Sequence, residues 1–326
     1  MRMSTELDTY LMLGCWTHKG WVREDDAMAS DVVTLRGGGW TSRWVPSVGM
    51  VGVSLFGAGR ELLGQLGGLD AYATRGSSFG IPLLHPWANR LSGFSYAAAG
   101  REVTLDAGMK RLRVDGHGLP IHGVLAAYKG WEVREVGAQT LVAELDFGAD
   151  PELLGAFPFP HRLTLEIEQT ARHLSVATTL TPTSDQPVPV SFGFHPYLTL
   201  PGVPRERLVL RAPAMTQILT DGRGIPTGER EAVPARHGAI GDAELDDHFC
   251  DLGPAPEFTL AGGGHELTMR FVEGYTHLQL FTAPGRPVVA IEPMTAPTDA
   301  LRSGDGLRLA TAPFRAVFEL DLVEAS

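Results

Sequence analysis

Five stretches of this chain are dense in side chains that can move protons or grip a polar ligand. The sharpest is Val288-Val289-Ala290-Ile291-Glu292-Pro293-Met294, where a run suited to a fully buried strand ends in a carboxylate. Removing an ionised carboxylate from water costs on the order of several kcal/mol unless it is paired, so a Glu beside a cleft here is poised as a general base. The competing reading is a Glu at an exposed strand end. A second stretch, Phe192-Gly193-Phe194-His195-Pro196-Tyr197, pins His195 between aromatic side chains and a proline. Aromatic neighbours suit stacking on the apolar face of a sugar ring, and the proline limits the wandering of the imidazole. A packed core histidine is the alternative.

Gly116-His117-Gly118-Leu119-Pro120-Ile121-His122-Gly123 sets two imidazoles in a Gly-flanked loop where backbone can approach a ligand closely. Zinc is the obvious rival, but the two histidines are five residues apart and lack an HExxH arrangement or a Cys partner. Gly80-Ile81-Pro82-Leu83-Leu84-His85-Pro86-Trp87-Ala88-Asn89-Arg90 ends in an amide and a guanidinium, whose planar fork can hold neighbouring hydroxyls or a carboxylate. A surface Arg with its stem over Trp87 is the plainer reading. In Leu245-Asp246-Asp247-His248-Phe249, an extended chain turns the two carboxylates to opposite faces, so one serves a pocket and the sequence leaves open which.

The elements that must position these groups read as strands. Leu163, Leu165 and Ile167 alternate with Thr164, Glu166 and Glu168, and a second run from Leu174 to about Thr181 completes a hairpin. Further strands are expected at Val32–Arg36, Met50–Phe56, Glu102–Leu105, Thr140–Phe147, Arg207–Arg211, Glu266–Phe271, His277–Phe281, Val288–Ile291 and Phe314–Leu322. Helices are scarce, with possible turns only at Glu6–Leu13. Neither GxGxxG nor GxxxxGK[ST] occurs, which demotes nucleotide-binding folds. One large antiparallel β-sandwich over residues 31–326 is predicted, with residues 1–30 as an extension packed on it. Gly222–Gly228 and Gly253–Pro256 read as loops within it.

Composition narrows the partners. The 326 residues include 27 basic and 38 acidic side chains, a net charge of −11, which argues against nucleic acid and anionic lipid surfaces. No apolar run reaches the roughly 20 residues needed to cross a bilayer, and the N-terminus lacks a secretory pattern, so a cytoplasmic location is expected. Cys15 and Cys250 read as free thiols.

Taken in order, Pro-Leu-Leu-His-Pro-Trp-Ala-Asn-Arg, Ile-His-Gly, Gly-Phe-His-Pro-Tyr, Leu-Asp-Asp-His-Phe and Ile-Glu-Pro-Met-Thr resemble the aldose 1-epimerase (galactose mutarotase) family over most of the chain. The resemblance implies a mostly β protein, a large antiparallel β-sandwich of the galactose mutarotase type. It also implies interconversion of the α and β anomers of a free aldose with no cofactor and no metal. Glu292 falls on the family's catalytic base, which takes the proton from the anomeric hydroxyl, and His195 on the acid that protonates the ring oxygen. His122 falls on the second histidine, near the ring oxygen. Arg90, with Asn89 beside it, falls on the arginine that grips sugar hydroxyls. Asp246 falls on the acidic substrate-binding position, and Asp247 takes that place if the register slips by one. Folding is expected to bring residues 292 and 195 to either side of one pyranose.

Three departures from the best-known pattern bear on which sugar is bound: Val124 in place of a second Gly after Ile-His-Gly, Pro196-Tyr197-Leu198 after the second histidine, and Asp247 where a His commonly stands. The alternatives are a hexose-6-phosphate 1-epimerase, with Lys110, Arg111 and Arg113 for the phosphate, or a non-catalytic carbohydrate-binding protein of the same fold. Solvated surface is the preferred reading of those three cations. A small sugar as the only ligand, and a monomer or homodimer, are expected.

Overall fold

A computed structural model describes residues 31–76 and 79–324. The predicted extension at 1–30, its helical turns and Cys15 lie outside the described residues. Within them, two antiparallel sheets face one another. The larger has nine strands, in the order Glu132–Val136, Thr140–Asp146, His161–Thr170, His173–Pro182, Phe314–Glu324, His265–Glu273, Glu257–Gly262, Val209–Ala212 and Arg236–Ala239. The smaller has eight: Pro226–Val233, Met215–Thr220, Asp246–Cys250, His277–Thr282, Val289–Met294, Gly193–Phe194 and Leu83–Leu84 in order, with Tyr197–Leu198 also pairing with Val289–Met294.

Alternation explains the layering. Along His161–Thr170, residues Leu163, Leu165 and Ile167 are buried, while Arg162, Glu166 and Glu168 are exposed. The partner strand follows directly, with Leu163 opposite Leu180 and Ile167 opposite Val176, as the hairpin reading requires. The smaller sheet sends Phe194, Phe249, Leu278, Leu280 and Ile291 into the same core. Across it, the rings of Phe194 and Phe318 meet edge to face, centroids 5.2 Å apart.

Two sequence expectations need correction. Residues 222–225 form a turn, but Pro226–Gly228 already belong to a strand, an edge strand of the smaller sheet. That strand is mostly exposed along its length, so no apolar alternation marks it. Glu292 does not end its strand: the pairing runs from Val289 to Met294, and Met294 lies opposite both His277 and Gly193. The described α-helices are short, Gly68–Arg75, Pro151–Ala156 and Ala300–Ser303. None is long and apolar enough to cross a membrane.

Phe318 is fully buried between the sheets. Phe318→Ala therefore costs about 3–5 kcal/mol, read as a lowered urea midpoint at unchanged slope. A midpoint equal to wild type would mean that the two sheets do not share this core.

Candidate active site

The smaller sheet builds the site by register. Gln279 lies opposite Glu292, and His248 opposite Gln279, so these three polar side chains form a row on the face turned away from the core. On the other flank of Glu292, Gly193 is opposite Met294 and Tyr197 opposite Ala290. The residue midway, His195, therefore faces Glu292 across the strands, with Phe194 turned into the core. The glycine at 193 is required by close approach: a Cβ there would lie 2.5 Å from the carbonyl oxygen of Pro293.

The result is a direct contact. His195 Nε2 is 3.1 Å from Glu292 Oε1, and the hydroxyl of Tyr197 is 3.1 Å from the same nitrogen. Tyr197 stacks on the imidazole, ring centroids 4.3 Å apart at 18°. Phe281 meets it edge-on at 5.9 Å. This corrects the expectation that residues 292 and 195 lie on either side of one pyranose, since 3.1 Å leaves no room for a sugar between them. Both groups instead lie side by side on the face of the smaller sheet turned away from the core. Glu292 is only 1% exposed, which rules out the strand-end reading.

His122 reaches the same place from the loop side. Its backbone N–H donates to Asn89 O at 2.9 Å, and its ring lies 5.5 Å from that of His195, nearly perpendicular. His122 takes a left-handed backbone (φ 62°), and Gly123 follows at φ 66°. A Cβ on Gly123 would fall 2.1 Å from His85 O, so the chain can pass there only as glycine. His117, the other imidazole of the loop, is exposed.

Arg90 is held by Asp115 (Nε to Oδ2, 2.7 Å) and by its neighbour Asn89 (Nη1 to Oδ1, 3.1 Å). Its Nη2 stands 3.8 Å from Asp246. Asp246 accepts a hydrogen bond from Gln279 Nε2 at 2.7 Å, while Asp247 accepts one from Gln217 at 3.0 Å. Of the two adjacent carboxylates, Asp246 is thus the one grouped with Arg90 and the Gln279–Glu292 pair. Asn89 is buried and serves as a brace for Arg90 and His122.

Sequence reasoning singled out neither Gln279 nor Asp115. The signal for Gln279 was a polar residue inside the expected strand His277–Phe281, on the same face as His277. For Asp115 there was none beyond its place before the Gly-rich loop. His85, in the first polar stretch, is not part of the site: it lies in the core with Nε2 2.9 Å from His161 Nε2.

Burial sets the proton affinities. Desolvation, then the negative charge of Asp246, pushes the Glu292 carboxyl well above its ordinary 4.5, with Arg90 acting in the opposite direction. Burial lowers His195 to about 3. Desolvation, His195, Arg113 and Arg90 together hold His122 well below the usual imidazole range. Charge on the carboxylate or the imidazoles is therefore disfavoured at this buried site. The two shifts run in opposite directions, so the contact between Glu292 and His195 favours a neutral carboxyl beside a neutral imidazole.

Residues 25–312 match the family model for aldose 1-epimerases. Solved structures share the fold. A galactose mutarotase-like protein from Clostridium acetobutylicum aligns with a TM-score of 0.78 at 17% identity, covering 89% of this chain and 94% of that one. Slr1438 from Synechocystis sp. PCC 6803 aligns with a TM-score of 0.73 at 23% identity, covering 90% and 96%. In sequence, the uncharacterized protein YihR of Escherichia coli (strain K12) is 24% identical over 260 residues, 74% of this chain and 80% of that protein. The architecture is that of the galactose mutarotase-like β-sandwiches. The chain belongs to the aldose 1-epimerase family, whose members act on sugars.

The direction of the Glu292 shift has a consequence for stability. A carboxyl whose folded-state value is raised favours the folded state below the unfolded value of 4.5, and that advantage is lost as pH rises through the folded value. Glu292→Gln removes the titration. The melting temperature of Glu292→Gln minus that of wild type should therefore increase as pH is raised from 4 to 8. A difference that shrinks over that range would mean that Glu292 is ionised and stabilised by Arg90.

Proposed function

We propose that this protein is an aldose 1-epimerase that interconverts the α and β anomers of a free aldose by acid/base ring opening and reclosure. The observation that carries the reading is the buried contact between Glu292 and His195 at 3.1 Å. O1 and O5 of a pyranose hang from the same carbon, so one edge of the sugar can meet both groups at once. Glu292 takes the proton from the O1 hydroxyl as the C1–O5 bond breaks, and His195 delivers one to O5. The aldehyde then turns about C1–C2, and the two transfers run in reverse onto its other face.

The electrostatics support this division of labour. A carboxylate whose ionised form is disfavoured by burial takes up a proton readily, and an imidazolium disfavoured by burial gives one up readily. After opening, the proton gained by Glu292 and the one lost by His195 can be re-equilibrated across their own contact, with no need for bulk water. In this reading His122 donates a hydrogen bond near O5, Arg90 and Asp246 grip ring hydroxyls, and Tyr197 and Phe281 offer apolar surface to the ring. Nothing in this sequence of steps calls for a cofactor or metal.

The test is polarimetric. Freshly dissolved α-galactose or α-glucose should approach its equilibrium rotation faster with the protein present. Glu292→Gln should lower kcat ~10²–10⁴-fold while leaving sugar affinity within a few-fold, since positioned bases typically contribute that much. Full activity in that variant would remove Glu292 from the mechanism, and an unaccelerated approach with every aldose would leave a sugar-binding protein.

A further inference from the structure

The direction in which Arg90 points is set by more than its polar partners. Nε donates to Asp115 at 2.7 Å and Nη1 to Asn89 Oδ1 at 3.1 Å, while Nη2 stands 3.8 Å from Asp246, the carboxylate that Gln279 holds. Backbone supplies the remaining constraint. The strands Met215–Thr220 and Pro226–Val233 form a hairpin at one edge of the smaller sheet, and the segment carrying Arg90 follows Leu83–Leu84 at the other edge. Ile218 lies opposite His248, so the hairpin runs on past that row, on the side of Asp246, before it turns at 221–225. There it meets Arg90. A Cβ on Gly224 would lie 2.8 Å from Arg90 Nη1, 3.3 Å from Cζ and 3.6 Å from Cδ.

The turn is braced from within. Asp221 Oδ1 accepts from the backbone N–H groups of Arg223 and Ile225 at 2.8 and 3.1 Å, the N–H of Asp221 donates to Ile225 O at 2.8 Å, and that of Gly224 to Asp221 O at 2.9 Å. A wall held this way does not yield to a side chain. Backbone conformation alone does not demand glycine here: Gly224 has φ 76°, and this chain holds Ala58, Ala99 and Ala127 at φ 45° to 53°. Gly228, in the same hairpin, has φ 90° with nothing within 4 Å of a Cβ. What sets Gly224 apart is the guanidinium against it. Because that group is the end of a long side chain, a Cβ would push it aside at small cost to folding, and the bond to Asn89 and the placement of Nη2 would go with it.

We infer that Gly224 is a positioning residue for Arg90: the turn at 221–225 is a wall that, with Asp115 and Asn89, fixes which way the donor fork points and delivers Nη2 beside Asp246. The inference rests on Arg90 as the group that grips sugar hydroxyls, and it adds an element from the far edge of the sheet to that site.

D-Galactose and D-glucose are the probes. Gly224→Ala should raise KM for both ~10-fold in polarimetric mutarotation, with kcat at the optimum pH within about threefold, and should weaken D-galactose binding by calorimetry to the same extent as KM. Arg90 draws the Glu292 carboxyl toward its ionised form, so a displaced fork should also move the acid limb of kcat/KM to higher pH. Gly228→Ala, with a left-handed backbone but no neighbour, should leave KM and the pH profile unchanged. In an Arg90→Ala background, where the atoms that the new Cβ meets are gone, adding Gly224→Ala should change KM by less than about twofold. Gly224→Asn brings the same Cβ with less backbone strain, so the test stands even if Gly224→Ala does not fold. A wild-type KM in the Gly224 variants, an equal rise in Gly228→Ala, or a full further loss in the Arg90→Ala background would overturn the inference alone. If the wild type accelerates no aldose, the mutarotase reading falls and the calorimetric Kd for D-galactose decides this inference; a wild type that neither turns over nor binds an aldose overturns both.

Discussion

The arrangement depends on keeping one carboxyl group out of water. Glu292 sits inside a strand flanked on both sides, with hydrophobic core behind it and the row of Gln279 and His248 beside it. A carboxylate in that position loses most of its hydration, and the loss is tolerable because the charge can be given up. The proton that neutralises it has somewhere to go, the imidazole nitrogen 3.1 Å away. Burial thus raises the proton affinity of the carboxyl, and the contact with His195 supplies its counterpart. A shift of one residue between Val289–Met294 and its neighbours would turn Glu292 into the hydrophobic layer and Ile291 into the cleft. The close passage of Gly193 against Pro293 is one of the features that hold the register.

The same logic shows what the sequence could and could not reveal. Strands with one buried face announce themselves, which is why Leu163–Ile167 and Phe314–Leu322 were legible. Met215–Thr220 and Glu257–Gly262 lack clean alternation, and Pro226–Val233 is nearly all exposed, so tertiary pairing alone defines it. At the site, the residue types were legible because a carboxylate and an imidazole among apolar and aromatic neighbours are costly choices. Their mutual geometry was not. Whether Asp246 or Asp247 joins Arg90 depends on the pairing of Asp246 with Phe281, a long-range register absent from local pattern. The contact between Glu292 and His195 depends in the same way on how residues nearly a hundred positions apart align. Gln279 was hidden because one polar residue in an apolar strand reads as a tolerated exception until its neighbours are known.

Three arginines show how the fold sorts positive charge. Arg205 is absorbed by carbonyl oxygens and ties loops together. Arg113 lies over the Tyr72 ring and donates to the carbonyl oxygen of Gly76. Arg90 stands nearest the chemistry, and its treatment follows from the demands on Glu292. An unopposed guanidinium there would stabilise the ionised carboxylate and weaken it as a base. Asp115 takes up Arg90 Nε, and Asp246, 3.8 Å from the cation, acts on Glu292 in the opposite sense. Under the proposed function, the site would therefore offer a rigid donor fork to sugar hydroxyls without lowering the proton affinity of Glu292. Asp246 is half-exposed, so its influence is screened by solvent and by any ligand that displaces that solvent. In the proposed reaction, a sugar covering Asp246 would let the same charge act through a lower dielectric, so its upward pressure on Glu292 would grow as a proton is taken from O1.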